Sequence, residues 1–494
     1  MLRSKILSNI ILSIILLLLT IILFFISGIK DLIGGIFLSF IAFICAQFPR
    51  TSLYFFLIYL CFGGTIIYLF PSSFQQVGEM IRFGKIYPVL QIIKDIFYFP
   101  ALITIIFTLN WRQFYQKIKP FCWALAVFTF ICFLTFFFVN FPQQFAVTDG
   151  SPILMGILGL KVWLGYIPLL LCSIYLVNNY QQLILITRLQ IILIIICCFL
   201  TLFQYYALLN NLCVGSVDLP GLASSRASLQ ARCLVGGALL FNPELNLIRL
   251  PGTFVAPWQW GWFLISSIFF TVAGTIIEKD KIWRYLGWFS SAFVILTTFI
   301  SGQRIAIFLV PFFFIILFIF TENNRRKLSL KLRIFTAISL ISLTIPLIQT
   351  RIAQFGGRWA YSSPISFTQR TLNYAIDNQN GLFGNGLGTT YSGARKLGDI
   401  QLIEIFPAQL IYEMGFIGLI SFFIMVTFIV YLGWKSYLKI ENKSLKKFAF
   451  CLWLFVIFIS YNPYYYPLIV DPINIYYWLM AGILLNLPSI DNIE

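Results

Sequence analysis

The sequence predicts an all-α polytopic membrane protein, and three observations carry that prediction. Of 494 residues, 60% are hydrophobic and 10% charged, where soluble domains carry ~25% charge. A soluble fold could not hide that much apolar surface. Apolar runs of about 20 residues, the length that crosses a bilayer core, recur along the whole chain. Short basic clusters separate these runs, the pattern that fixes membrane topology.

About fourteen runs qualify as spans. They centre near Leu16, Phe40, Leu60, Leu102, Phe130, Pro168, Ile195, Ser266, Val294, Phe313, Leu340, Ile424, Phe455 and Met480. The first, following Arg3 and Lys5, is too long for a signal-peptide core and has no small-residue cleavage site after it, so it reads as a retained span. With the N-terminus inside, the inside loops hold 20 Lys and Arg against 6 Asp and Glu, a net of +14 out of the chain's +17. The alternation holds through the last span and places both termini in the cytoplasm. Nearly all the positive charge is then a topology signal, and no basic stripe has the interleaved polar residues of a nucleic-acid face. The chain reads as one integral membrane domain without internal repeats. Two long outside loops are expected, at 210–250 and at 349–405, the second between spans 11 and 12; loops this long in a compact membrane protein are usually functional.

There is no histidine. That excludes Ser–His and Cys–His nucleophiles and histidine-ligated metals, so acid–base chemistry falls to Asp, Glu, Lys, Tyr or Cys. No metal centre and no cofactor are expected. Eight of the 10 Cys lie in or beside apolar runs and read as small buried side chains. Cys213 and Cys233 fall in the first outside loop. They read as a disulfide in preference to two free thiols, closing a loop of about 20 residues worth roughly 3 kcal/mol.

The outside segments carry a surplus of arginine: Arg226, Arg232, Arg249, Arg304, Arg351, Arg358, Arg370 and Arg395. Cations are disfavoured on that side, and guanidinium forks suit pyrophosphate and sugar oxygens, so the set reads as an anion site. Arg249 and Arg304 both fall at span boundaries, the depth of a lipid-linked pyrophosphate. Lys161, in the outer part of a span, is either a functional cation or half of a buried pair. The run Gly384-Asn385-Gly386-Leu387-Gly388 permits close backbone approach to a ligand, with Gly386 and Gly388 as secondary candidates; it lacks the ending of a nucleotide P-loop. Glu404 sits just before the next span and is the first choice of general base, since a carboxylate in apolar surroundings has a raised pKa. Glu413 is either a second candidate or a structural hydrogen-bond partner. Asp377, Asp399 and Asp471 rank lower.

At these residues the chain resembles the O-antigen ligase and polymerase superfamily, the Wzy-type bacterial polysaccharide polymerases and their ligase relatives. The matching pieces are Arg249-x-x-Gly252-x-Phe254-x-x-Pro257, Ser301-Gly302-x-Arg304, Arg370 ahead of Gly384-x-Gly386-x-Gly388, then Glu404 followed by Glu413-x-Gly415-x-x-Gly418. They cover Arg249 to Leu419, in the family's order; the first half matches only as a row of spans. The resemblance implies a GT-C-type, metal-independent, inverting glycosyltransferase in the bacterial plasma membrane. Its substrates would be undecaprenyl-pyrophosphate-linked glycans at the outer face, polymerised into O-antigen or exopolysaccharide, with flippase and chain-length regulator proteins as companions. Pyrophosphate binding carries over to Arg249, Arg304 and Arg370, with Arg358 and Lys161 as further substrate-binding candidates. Family ligases place a histidine before the final glutamate–glycine motif, where this chain has Glu404. That departure favours polymerase over ligase. The competing class is a lipid-linked-oligosaccharide flippase, which should show repeat symmetry and charges strung along its spans.

Overall fold

The computed structural model describes residues 47–70, 73–77, 80–83, 94–95, 97–146, 150–233, 235–322, 363–395, 397–465 and 467–492, with scattered single residues between 36 and 44 and between 326 and 356. It is mostly helical. Helices α1 (Pro49–Cys61) and α2 (Gly63–Leu69) meet at a 77° bend. A hairpin of β1 (Phe74–Val77) and β2 (Met80–Phe83) follows, then α3 (Phe99–Thr108) and α4 (Trp111–Thr135). A π-helical turn, Phe136–Asn140, joins α4 to α5 (Phe141–Ala146). Helices α6 (Pro152–Leu164) and α7 (Leu169–Leu176) lead into α8 (Tyr180–Leu209), capped by the Asn179 side chain. The hairpin β3 (Leu240–Asn242) and β4 (Leu247–Arg249) precedes α9 (Pro257–Ile277), α10 (Lys281–Ser301) and α11 (Arg304–Thr321). Helix α12 (Pro364–Asp377) lies in the second long loop, followed by α13 (Phe406–Lys439), α14 (Lys443–Tyr461) and α15 (Ile473–Asp491).

Eight of these segments are long and apolar enough to cross a membrane, nine if the bent α1–α2 pair counts as one span. Fourteen is not reproduced among the described residues, and α10, which covers the run near Val294, is not among the eight. The runs near Leu16, Phe40 and Leu340 lie outside them, apart from scattered single residues. The run near Leu102 forms a ten-residue helix, about 15 Å long and half of a bilayer core. Its C-cap, Leu109, turns extended, and a separate helix begins at Trp111, so the apolar stretch is divided between two elements.

Helices α9 and α15 form the centre of the bundle and are buried on nearly every side. They pack against each other and against α14, which also contacts α13. Trp260, Trp262, Phe263, Phe269, Tyr476 and Tyr477 fill this core. The outer helices instead expose Trp123, Phe130, Phe137, Phe199, Phe308 and Phe312. Such a belt is costly in water and suited to lipid.

The two ends of the bundle differ chemically. At one end Arg188 forms a two-pronged ion pair with Glu278, at 2.7 and 2.8 Å. At that same end Asp491 accepts from the Glu441 amide at 2.7 Å and Lys117 reaches Ser489 at 3.1 Å. The long loops and the candidate residues gather at the opposite end.

Candidate active site at the loop-rich end

Arg249 closes the β3–β4 hairpin, opposite Leu240. The next residue, Leu250, donates its amide to the Ser301 carbonyl at 3.0 Å, binding the hairpin to the end of α10. Gly302 then turns the chain with φ 68°. It packs so tightly on the Ile248 carbonyl that a Cβ would overlap it, so only glycine serves the turn. Two residues on, Arg304 opens α11. Two arginines 55 positions apart in sequence thereby meet. Burial and the neighbouring Arg304 both push the Arg249 pKa down, against Tyr465, Glu404 and Tyr464, which hold it up.

Glu404 lies in a short extended segment ahead of α13. Ile405 bridges Tyr464 in antiparallel fashion. The Phe406 amide donates to the Pro463 carbonyl at 2.9 Å, and the Tyr465 amide donates to the Glu404 carbonyl at 3.1 Å. Gln409 donates from Nε2 to the Ile403 carbonyl at 2.6 Å. The Glu404 backbone is thus fixed while its side chain is half-buried. Burial raises the carboxyl pKa above its ordinary value, and Arg249 partly opposes this. Among the described residues Glu404 makes no ion pair. A half-buried carboxylate and two arginines are therefore electrostatic neighbours at this end of the bundle, with Glu404 in no direct ion pair. This is the arrangement of an anion site beside a proton acceptor.

Tyr464 and Tyr465 complete the site, and sequence reasoning missed them. Their rings sit 4.5 Å apart, edge to face. Burial and the hydrogen-bonded Tyr465 raise the Tyr464 pKa; Arg304 lowers it and Glu404 raises it, so this phenol lies within electrostatic reach of both. The available signal was Asn462-Pro463-Tyr464-Tyr465-Tyr466-Pro467, an aromatic cluster between two prolines in a loop joining two spans.

The other expectations sort differently. Glu413 is fully engaged as an acceptor: from Trp163 Nε1 at 2.8 Å, the Gly388 amide at 3.0 Å, and the Thr390 amide and hydroxyl at 2.9 and 2.6 Å. It is a structural anchor, as one of its two readings had it. The glycine-rich segment corrects the expectation of a ligand cradle. The amides of Asn385, Gly386, Leu387 and Gly388 donate respectively to the Tyr412 carbonyl, the Glu413 carbonyl, Asn140 Oδ1 and the Glu413 carboxylate. Gly386 and Gly388, at φ 102° and 82°, lie against Asn140 and the Met155 backbone. Their freedom serves close packing, and the four successive amides from Asn385 to Gly388 are all engaged within the protein.

Lys161 pairs with Asp95 at 2.6 Å, and Tyr166 donates to the other Asp95 oxygen at 3.1 Å. Beside it, buried Lys94 pairs with Asp471. Two cations and two anions balance there, so Lys161 belongs to a structural network rather than to the Arg249–Arg304 cluster. Arg370 is exposed on α12, with its Nε donating to its own helix at the Ser366 carbonyl. Arg358 lies outside the described residues. Cys213 and Cys233 are joined in a disulfide, Cα atoms 5.1 Å apart. With Leu239, Phe241, Leu250 and Ile300 they form a small core beneath the Arg249 hairpin.

No protein-family model and no curated relative matches the chain.

Proposed function

We propose that this protein is a membrane glycosyltransferase that polymerises lipid-pyrophosphate-linked oligosaccharide units. In this reading it is a GT-C-type enzyme of about fourteen passes, working on undecaprenyl-linked glycans at the outer face of a bacterial plasma membrane. The observation that carries the reading is the convergence of Arg249, Arg304 and Glu404 at one end of the bundle, within electrostatic reach of one another, with the Glu404 carboxyl pKa raised.

Arg249 and Arg304 hold the donor pyrophosphate. Arg304 stands at the start of α11, whose N-terminus has no side-chain cap and adds a partial positive charge. Glu404 takes the proton from an acceptor hydroxyl. The freed oxygen attacks the donor's anomeric carbon from the face opposite the pyrophosphate. As that bond forms, the anomeric carbon–oxygen bond breaks, its electron pair passes to the pyrophosphate, and the configuration inverts. The two guanidiniums stabilise the charge that develops on the leaving group. A hydroxyl acceptor needs one base, unlike the two carboxylates of glycoside hydrolysis.

Deleting the protein and resolving surface glycan by length tests this. Loss of long chains with single units retained is the expected result. Accumulation of unattached polymer on the lipid carrier would mean a ligase, and unchanged glycan would reject glycosyl transfer.

A further inference from the structure

Tyr465 is held at φ 57°, a left-handed conformation that is strained for a bulky residue and tends to persist at functional sites. Three contacts enforce it. Its amide bonds the Glu404 carbonyl, its carbonyl accepts from Trp262 Nε1 at 3.3 Å, and the preceding carbonyl accepts from Asn462 Nδ2 at 2.7 Å. This fixes the Tyr464–Tyr465 pair beside Glu404. From the other side, Phe367 of α12 reaches Tyr464 edge to face, with centroids 6.2 Å apart. Both tyrosines remain half-exposed. A rigid, accessible aromatic corner thus lies within electrostatic reach of Glu404 and Arg304.

We propose that Tyr464 and Tyr465, flanked by Phe367, form a saccharide-binding subsite that receives the acceptor glycan. A pyranose ring presents a face of polarised C–H bonds, which the negative face of an aromatic ring attracts. Stacking here sets the acceptor hydroxyl against Glu404, while the arginines hold the donor's pyrophosphate. The identity of the ligand rests on the glycosyl-transfer reading above.

The test uses the full-length protein in lipid nanodiscs. The probe is the free oligosaccharide released by mild acid from the expressing cells' own lipid-linked glycans, with binding read by saturation-transfer NMR and titration. Wild type and Glu404→Gln should bind it equally, with saturation strongest at ring C–H protons. Tyr464→Phe and Tyr464→Trp should stay close to wild type. Tyr464→Ala and Tyr464→Leu should weaken binding roughly tenfold. Tyr464→Leu keeps an apolar side chain but removes the ring face, and its comparison with Tyr464→Phe separates stacking from folding. Wild-type affinity in Tyr464→Leu, or no binding by wild type, overturns the subsite. If this binding pattern holds but Glu404→Gln elongates chains normally, the subsite stands and the Glu404 assignment falls.

Discussion

At the scale of single residues, Glu404 and Arg249 are electrostatically coupled, and the coupling has a sign that kinetics can read. Burial raises the Glu404 pKa and Arg249 lowers it. A base with a raised pKa loses activity as pH falls through that value. Arg249→Gln removes the opposing influence, so the acid limb of the rate–pH profile should move to higher pH. The rate should also fall by about 10²–10³-fold through loss of charge stabilisation on the leaving group. Arg249→Lys keeps the point charge but loses the fork. Its acid limb should stay near that of wild type while the rate falls. A limb unmoved in Arg249→Gln contradicts the coupling. Stability has a matching sign. A carboxyl whose folded pKa is raised holds more protons folded than unfolded between its ordinary and raised values, so stability falls as pH rises through that window. Glu404→Gln should therefore leave the thermal midpoint at neutral pH unchanged or higher.

At the scale of elements, the glycine-rich segment shows what sequence can and cannot convey. Four glycines spaced closely, Gly381, Gly384, Gly386 and Gly388, announce unusual backbone angles, and all four adopt positive φ. Spacing does not tell where the intervening amides point. Here they bond inward, to Asn140 in the π-helical turn and to Glu413 in α13, because a buried amide must find an acceptor. Gly302 was legible for a similar reason, as a glycine between two apolar runs. Its contact with the Ile248 carbonyl, which joins Arg249 to Arg304, depends on tertiary packing that no local pattern encodes. Glu413→Ala should leave four donors from Trp163, Gly388 and Thr390 without their acceptor. We expect a loss of about 3–5 kcal/mol, seen as a lowered thermal midpoint in detergent and poor recovery of folded protein. Wild-type stability in that variant would show that Glu413 is not an anchor.

At the scale of the whole molecule, composition alone conveyed the fold class, since apolar runs and basic clusters are one-dimensional signals. Glu404, Arg249 and Arg304 were legible because charge is scarce near an apolar boundary. Tyr464 and Tyr465 were not, because aromatic residues are abundant in this chain and the bridge between Ile405 and Tyr464 spans 59 positions. The Cys213–Cys233 disulfide links this scale to the site, since its small core carries the Arg249 hairpin. Reduction should cost roughly 3 kcal/mol in the chain-entropy model and weaken pyrophosphate-lipid binding; binding unaffected by reductant would mean the hairpin holds without the bridge. The most direct test of the central claim is chain elongation by the purified protein in nanodiscs supplied with lipid-linked repeat units, with products resolved by length. Wild type should build a ladder of polymers, and Glu404→Gln, with unchanged thermal midpoint and unchanged donor binding, should build none. A normal ladder from Glu404→Gln would contradict the account.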